Sequence, residues 1–147
     1  MTRAPILTLV ALVAGCGESI TFPAKGLGVE LRITAVPTVV AVGDSVTFTA
    51  SAYNPTNEEV QIGQQCGPSF DVLVTTPTGA EVSVLTESLG GHVFFTCQLG
   101  PWHIVEPGET ETMILEWRAP APGVYAARAT LRREERYLSA AAQVTVR

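Results

Sequence analysis

Residues 101–131, PWHIVEPGETETMILEWRAPAPGVYAARATL, decide the fold of this chain. Glu106-Pro107-Gly108-Glu109 is a turn with a mechanism. Proline presets φ at about −65° in the second position, and glycine takes the positive φ that a type II turn requires in the third. The run that follows alternates, with Met113, Leu115 and Trp117 on one face and Thr112, Ile114 and Glu116 on the other. A period of two means a half-buried strand, because the apolar positions of a helix recur every three or four residues. Ala121-Pro122-Gly123 breaks the chain again, and Tyr125, Ala127, Ala129 and Leu131 then share a face opposite Arg128 and Thr130. Strands joined by Pro-Gly turns make antiparallel β-structure the organising element.

The same alternation spreads outward. Downstream, Leu138, Ala140, Ala142, Val144 and Val146 fall on one face. Upstream, Val29, Leu31, Ile33 and Ala35 mark a first strand that Pro37 ends or bends, since proline cannot donate to a central ladder. Val39 to Val42 reads as its short continuation, and Gly43-Asp44 turns the chain. Val46, Phe48, Ala50 and Ala52 then point inward from a strand rich in β-branched residues. Asn54-Pro55-Thr56-Asn57 is a turn cluster, Val60 and Ile62 mark a short strand, and Phe70, Val72 and Val74 mark another. Pro77-Thr78-Gly79 is a hairpin turn whose return strand is expected over 81–85. No segment holds helical periodicity without a Gly or Pro interruption. The expectation is an all-β, antiparallel sandwich of about seven to nine strands.

Composition narrows the function classes. A chain of 147 residues with 46% apolar content fits one domain plus a short extra segment. Its net charge of −5 disfavours nucleic acid, whose phosphates are bound by clustered Lys and Arg. The largest basic group, Arg132, Arg133 and Arg136, is interrupted by Glu134 and Glu135 and reads as a solvated hairpin tip.

The N-terminus carries an address. Arg3 precedes an uncharged run from Ala4 to Ala14, too short for the about 20 residues of a membrane-spanning helix but sufficient for a signal-peptide core. Val13-Ala14-Gly15-Cys16 resembles the lipobox of bacterial lipoproteins, in which small residues precede a cysteine that is acylated before the peptide is cut in front of it. The short stretch ahead of the apolar run leaves open a misassigned start codon, and a buried free thiol on a first strand is the plainer alternative for Cys16. Lipidation at Cys16 divides the chain into a leader (1–15), a tether (16–28) and the sandwich (29–147). It implies a membrane partner reached through several acyl chains. It also implies the bacterial cell envelope as location. Gly17, standing where inner-membrane retention typically places aspartate, favours the outer membrane.

With Cys16 as anchor, Cys66 and Cys97 remain as a pair in a compartment where disulfides persist. Such a bridge would stabilise by about 3 to 4 kcal/mol in the loop-closure picture. A zinc site would need more ligands at close spacing, and the nearby His92 and His103 supply no H-x-x-x-H pattern. A Cys-His catalytic pair lacks an orienting third group. No cofactor is expected.

A second resemblance covers about 31–131. DSVTFTASAYN (44–54), Phe70-Asp71-Val72, PTGAEV (77–82), VEPGE (105–109), Trp117 and Pro122-Gly123-Val124-Tyr125 occur in the order and approximate spacing of the intracellular proteinase inhibitor (BsuPI-like) family. That resemblance implies an immunoglobulin-like β-sandwich and places protein binding, with protease inhibition as one form of it, within reach. The chain departs from the family in carrying Ser83-Val84-Leu85 where a tryptophan-containing strand is common, and in adding Cys66 and Cys97. No inhibitory residue transfers.

Long loops poor in charge are the places to look for binding on a rigid scaffold. Residues 86–102, TESLGGHVFFTCQLGPW, hold one acid, Glu87, and the apolar groups Phe94, Phe95 and Trp102, which would form an adhesive patch if exposed. Packing of 93–95 into the core as a strand is the competing reading. Glu109, Glu111 and Glu116 have no His near them in sequence, and no G-x-S-x-G, phosphate loop or metal-ligand cluster is present. These acids read as solvated charges on an outer sheet face, and the chain reads as no enzyme. The expected function is a non-catalytic, membrane-anchored module that binds a protein or glycan. The alternative is a proteinase inhibitor acting through the loop around 86–102.

Overall fold

A computed structural model describes residues 21–63, 68–84, 103–133 and 136–147. Twelve strands occur among them: β1 (Thr21–Phe22), β2 (Ala24–Gly26), β3 (Val29–Val36), β4 (Val39–Val40), β5 (Ser45–Tyr53) and β6 (Val60–Ile62), then β7 (Phe70–Thr75), β8 (Glu81–Ser83), β9 (His103–Val105), β10 (Thr110–Arg118), β11 (Gly123–Arg133) and β12 (Arg136–Val146). The count exceeds the seven to nine expected because several are two- or three-residue pieces at sheet edges. One sheet runs β1-β12-β11-β7-β8 with β4 also on β12, a second runs β10-β5-β3-β2, and β6 pairs with β9 alone. The longer strands divide as strands A, B, E and C, F, G of an immunoglobulin domain divide, and the fold is an immunoglobulin-like antiparallel β-sandwich.

Alternation in the sequence becomes the core. Val46, Phe48, Ala50 and Ala52 of β5 are buried, as are Leu115 and Trp117 of β10 and Tyr125, Ala127, Ala129 and Leu131 of β11. Alanines recur on both inner faces, and the large groups fill the space between them. Trp117 lies between Phe48, with ring centroids 6.1 Å apart, and Tyr125, at 5.0 Å and near edge-on. Such tilted geometries suit the ring quadrupoles. The Tyr125 hydroxyl donates to the Ala121 carbonyl at 2.8 Å, so the one polar atom of this ring is satisfied at the sandwich corner. This is the tyrosine corner of immunoglobulin-like domains.

Three stretches differ from the sequence reading. Val39 and Val40 do not extend β3: past Pro37 the chain crosses to the other sheet and pairs in parallel with Thr145 and Val146. Thr145 N donates to the Thr38 carbonyl and Arg147 N to the Val40 carbonyl, so the short crossing closes the β12 edge. The return strand expected over 81–85 ends at Ser83. Val84 is helical in backbone and fully buried, its side chain drawn into the core and its peptide out of the ladder. Residues 21–26, assigned from sequence to a tether, form β1 against β12 and β2 against β3.

The sandwich has two unlike poles. One carries the tight turns at 41–44, 76–80 and 119–123. Asp44 N bonds the Ala41 carbonyl while its carboxylate accepts from Ala41 N, and Gly79 N bonds the Thr76 carbonyl. The other carries the connection from β5 to β7, the β6–β9 pair, the 106–109 turn and the tip of the β11–β12 hairpin.

Candidate functional site

Asn54 organises the second pole. It follows β5 directly and is fully buried. Its Nδ2 donates to the Glu58 and Val105 carbonyls, both at 2.8 Å. Its Oδ1 accepts from Thr56 N at 2.9 Å and Thr56 Oγ1 at 2.7 Å. Its backbone N donates to the Glu109 carbonyl at 3.0 Å, and its carbonyl accepts from Gly108 N at 2.9 Å. An asparagine side chain offers two donors and two lone pairs, and all four are used. One residue therefore ties the 54–58 loop to β9 and to the 106–109 turn. That turn has the expected chemistry: Gly108 stands at φ 75° and Glu109 N bonds the Glu106 carbonyl at 3.0 Å.

Beside it lies a polar group of three. Ser69 is buried, and its Oγ donates to Glu111 Oε1 at 2.9 Å. His103 Nδ1 stands 3.7 Å from the same oxygen. Glu111 shares its strand face with Met113, Leu115 and Trp117 and is half-buried, so the expectation of a solvated charge on the outer sheet face is corrected for this residue. Nor is it remote from histidine, as its sequence neighbourhood implied; pairing of β6 with β9 brings His103 to it. In a nucleophilic serine site the imidazole must lie within hydrogen-bond reach of the hydroxyl. Here the carboxylate occupies that place and accepts the hydroxyl's hydrogen bond itself. The arrangement braces the start of β7 against β10 and β9. Among the described residues, no group of three or more His, Cys, Asp or Glu stands together as metal ligands would.

Gly63 marks how closely the neighbouring connections approach. At φ 76°, a β-carbon there would lie 3.0 Å from the Ser69 Cα and 3.5 Å from His103 Cδ2. Gly63, just before the segment that carries Cys66, thus lies against both Ser69, just after it, and His103, at which the chain returns from 85–102. At the hairpin tip, Arg133 Nη1 donates to the Leu27 carbonyl at 2.9 Å, so this arginine is a structural tie. Cys16, Cys66, Cys97, Phe94, Phe95 and Trp102, to which the sequence reading assigned lipidation, a disulfide and partner contact, lie outside the described residues, as does His92. Sequence reading marked Asn54 and Thr56 as turn formers but missed the bond to Val105, which spans 51 positions. It missed the Ser69–Glu111–His103 group for the same reason.

No protein-family model matches the chain, and no curated protein does. The resemblance to the BsuPI-like family therefore rests on its quoted motifs. Solved structures do match. The CARDB domain of the PF1109 protein from Pyrococcus furiosus, in a crystal structure with di-metal ions, aligns with a TM-score of 0.51 at 16% identity, over 86% of this chain and 90% of that one. A solution structure of the same domain aligns with a TM-score of 0.47 at 18% identity, over 85% and 95%. The DNA glycosylase AlkC of Pseudomonas fluorescens aligns with a TM-score of 0.47 at 12% identity, over 80% of this chain but 30% of that enzyme. At these identities the likeness shows the immunoglobulin-like fold alone.

Proposed function

We propose that this chain is an extracytoplasmic bacterial lipoprotein whose immunoglobulin-like module binds a protein or glycan partner at the Asn54 pole, without catalysis. The observation that carries this reading is the buried Asn54, which fixes three connections at one pole with every side-chain hydrogen bond used. Fixing loops on a rigid frame lowers the ordering cost of binding. The chain returns to this frame at His103 from 85–102, where Phe94, Phe95 and Trp102 supply apolar contact area. The engagement of Ser69 by a carboxylate argues against nucleophilic chemistry there. Anchoring at Cys16 rests on Val13-Ala14-Gly15-Cys16, and pairing of Cys66 with Cys97 rests on the compartment that anchoring implies. The approach of Gly63 to Ser69 and His103 is compatible with that pairing.

The test is photocross-linking of the full chain in native envelopes, followed by mass identification of the captured species. Replacing Phe94 and Phe95 together by Ser should weaken capture at least about tenfold, the order expected for two interface anchors. Undiminished capture by that variant would place the contact surface elsewhere. Sub-micromolar inhibition in a panel of serine proteases, lost in the same variant, would instead assign the proteinase-inhibitor function.

A further inference from the structure

Of the exposed large apolar side chains among the described residues, four stand at the tight-turn pole: Val36 at 64%, Val39 at 45%, Val42 at 48% and Val124 at 51% exposure. They come from different elements. Val36 ends β3, Val39 opens the parallel pairing with Thr145, Val42 lies in the 41–44 turn, and Val124 sits opposite Thr145 at the start of β11. The charged groups interleaved with them are Asp44, Arg118 and Arg147. Asp44 is occupied in capping Ala41 N, and Arg118 Nη1 lies 3.5 Å from the Gly43 carbonyl.

The direction of β1 bears on what this pole meets. Thr21 pairs with Ala142 and Phe22 with Ala141, antiparallel to β12. β12 runs from the Asn54 pole to the tight-turn pole, so the chain comes into β1 from the tight-turn side. Five residue steps separate Cys16 from Thr21, and an extended chain spans at most about 18 Å over that length. Along β12, at about 3.3 Å per residue, Ala142 is about 13 Å from the tight-turn pole at Val146 and about 20 Å from the other pole at Arg136. An anchor at Cys16 can pass the first pole and cannot pass the second.

We propose that the tight-turn pole is the membrane-apposed end of the sandwich, with Val39, Val42 and Val124 nearest the phospholipid headgroups, and that the Asn54 pole is thereby held outward for its partner. This orientation rests on the anchoring reading above. Apolar groups of this size sit favourably at the headgroup boundary once an acyl anchor has brought them there. The Asn54 pole, with His103, Glu111 and the hairpin tip, keeps its polar groups in water.

The test uses the full acylated chain in phosphatidylcholine vesicles whose lipid carries a radiolabel, with p-benzoylphenylalanine placed at Val42 or, separately, at Ile104 on the Asn54 pole. Irradiation should attach lipid at position 42 at least about fivefold more than at position 104, since apposition holds one pole at the boundary and the other in water. Intact mass must show acyl groups at Cys16 in both proteins. Acylated protein that labels equally at both positions, more at 104, or at background at both would overturn the orientation and leave the anchoring intact. Absence of acyl groups at Cys16 would overturn the anchoring and the orientation with it.

Discussion

The two poles of this sandwich are closed by different means. At the tight-turn pole the long-range bonds are mainly backbone pairs, Gly43 N to the Ala119 carbonyl, Ala119 N to the Asp44 carbonyl and Thr145 N to the Thr38 carbonyl, while the Tyr125 hydroxyl reaches only to Ala121. At the Asn54 pole side chains themselves span the chain: Asn54 to Val105 over 51 positions, Ser69 to Glu111 over 42, and Arg133 to Leu27 over 106. Backbone closure holds whatever side chains the turns carry. Closure through side chains makes the loops at the other pole depend on single residues, so that a change in one is felt by the rest. A module that must present several loops in a fixed relation benefits from the second design, and a face that only has to be compact is served by the first.

That contrast can be broken most directly at Asn54. Asn54→Ala leaves the buried Val105 carbonyl without its donor, while Thr56 Oγ1 still stands 2.9 Å from the Glu58 carbonyl, and should cost about 2 kcal/mol. Urea denaturation reads the loss. Amide exchange should quicken across 54–62 and 103–109 together while the 41–44 and 76–80 turns keep their protection. Uniform quickening at both poles would mean that the poles are not separate units.

The tight-turn pole has its own sensitive point at Gly123. It stands at φ 146°, and a β-carbon there would overlap the Pro77 ring. Gly123→Ala should cost about 2 kcal/mol, as overpacking against a rigid neighbour does. Adding Pro77→Ala should recover about half by removing most of the overlapping ring, with no effect on exchange at the Asn54 pole. Additive losses in the double variant would show that the two residues do not meet.

The smallest effect is expected at Asp71, on β7 near the Asn54 pole. Partial burial raises its carboxyl above the usual carboxylate range, against the lowering influence of Arg128, while Glu81 adds to the rise. A carboxyl with a raised folded-state pKa opposes folding once it ionises. Its contribution is full below the ordinary carboxylate range and is lost as pH rises through the folded-state value. Asp71→Asn should therefore raise the urea midpoint slightly at pH about 7 and leave it unchanged at pH about 3. An equal shift at both pH values would remove ionisation as the cause.

How much of this was legible in the sequence follows the same division. The 106–109 turn could be read from Pro107 and Gly108 because both act on the backbone dihedrals of their own residues. The inward faces of β5, β10, β11 and β12 could be read because side chains alternate along a strand whatever it pairs with. Glu111 was misjudged although its strand was not, because alternation gives a face and not a neighbour. The parallel seat of β4 was missed because four valine and alanine residues after a proline suit either sheet equally. Asn54 was legible as a turn former through Thr56, two positions on, and illegible as a hub.

By itself, then, the order of residues determined the strands, their faces, the turn types and the all-β class, since each depends on dihedral preference and local period. Only the tertiary structure decided that His103, Ser69 and Glu111 meet, that Asn54 binds three connections, and that residues 21–26 belong to the sheets. Those outcomes depend on which backbone and side-chain groups find partners across the fold, and a hydrogen bond's distance along the chain leaves no mark on the residues that make it.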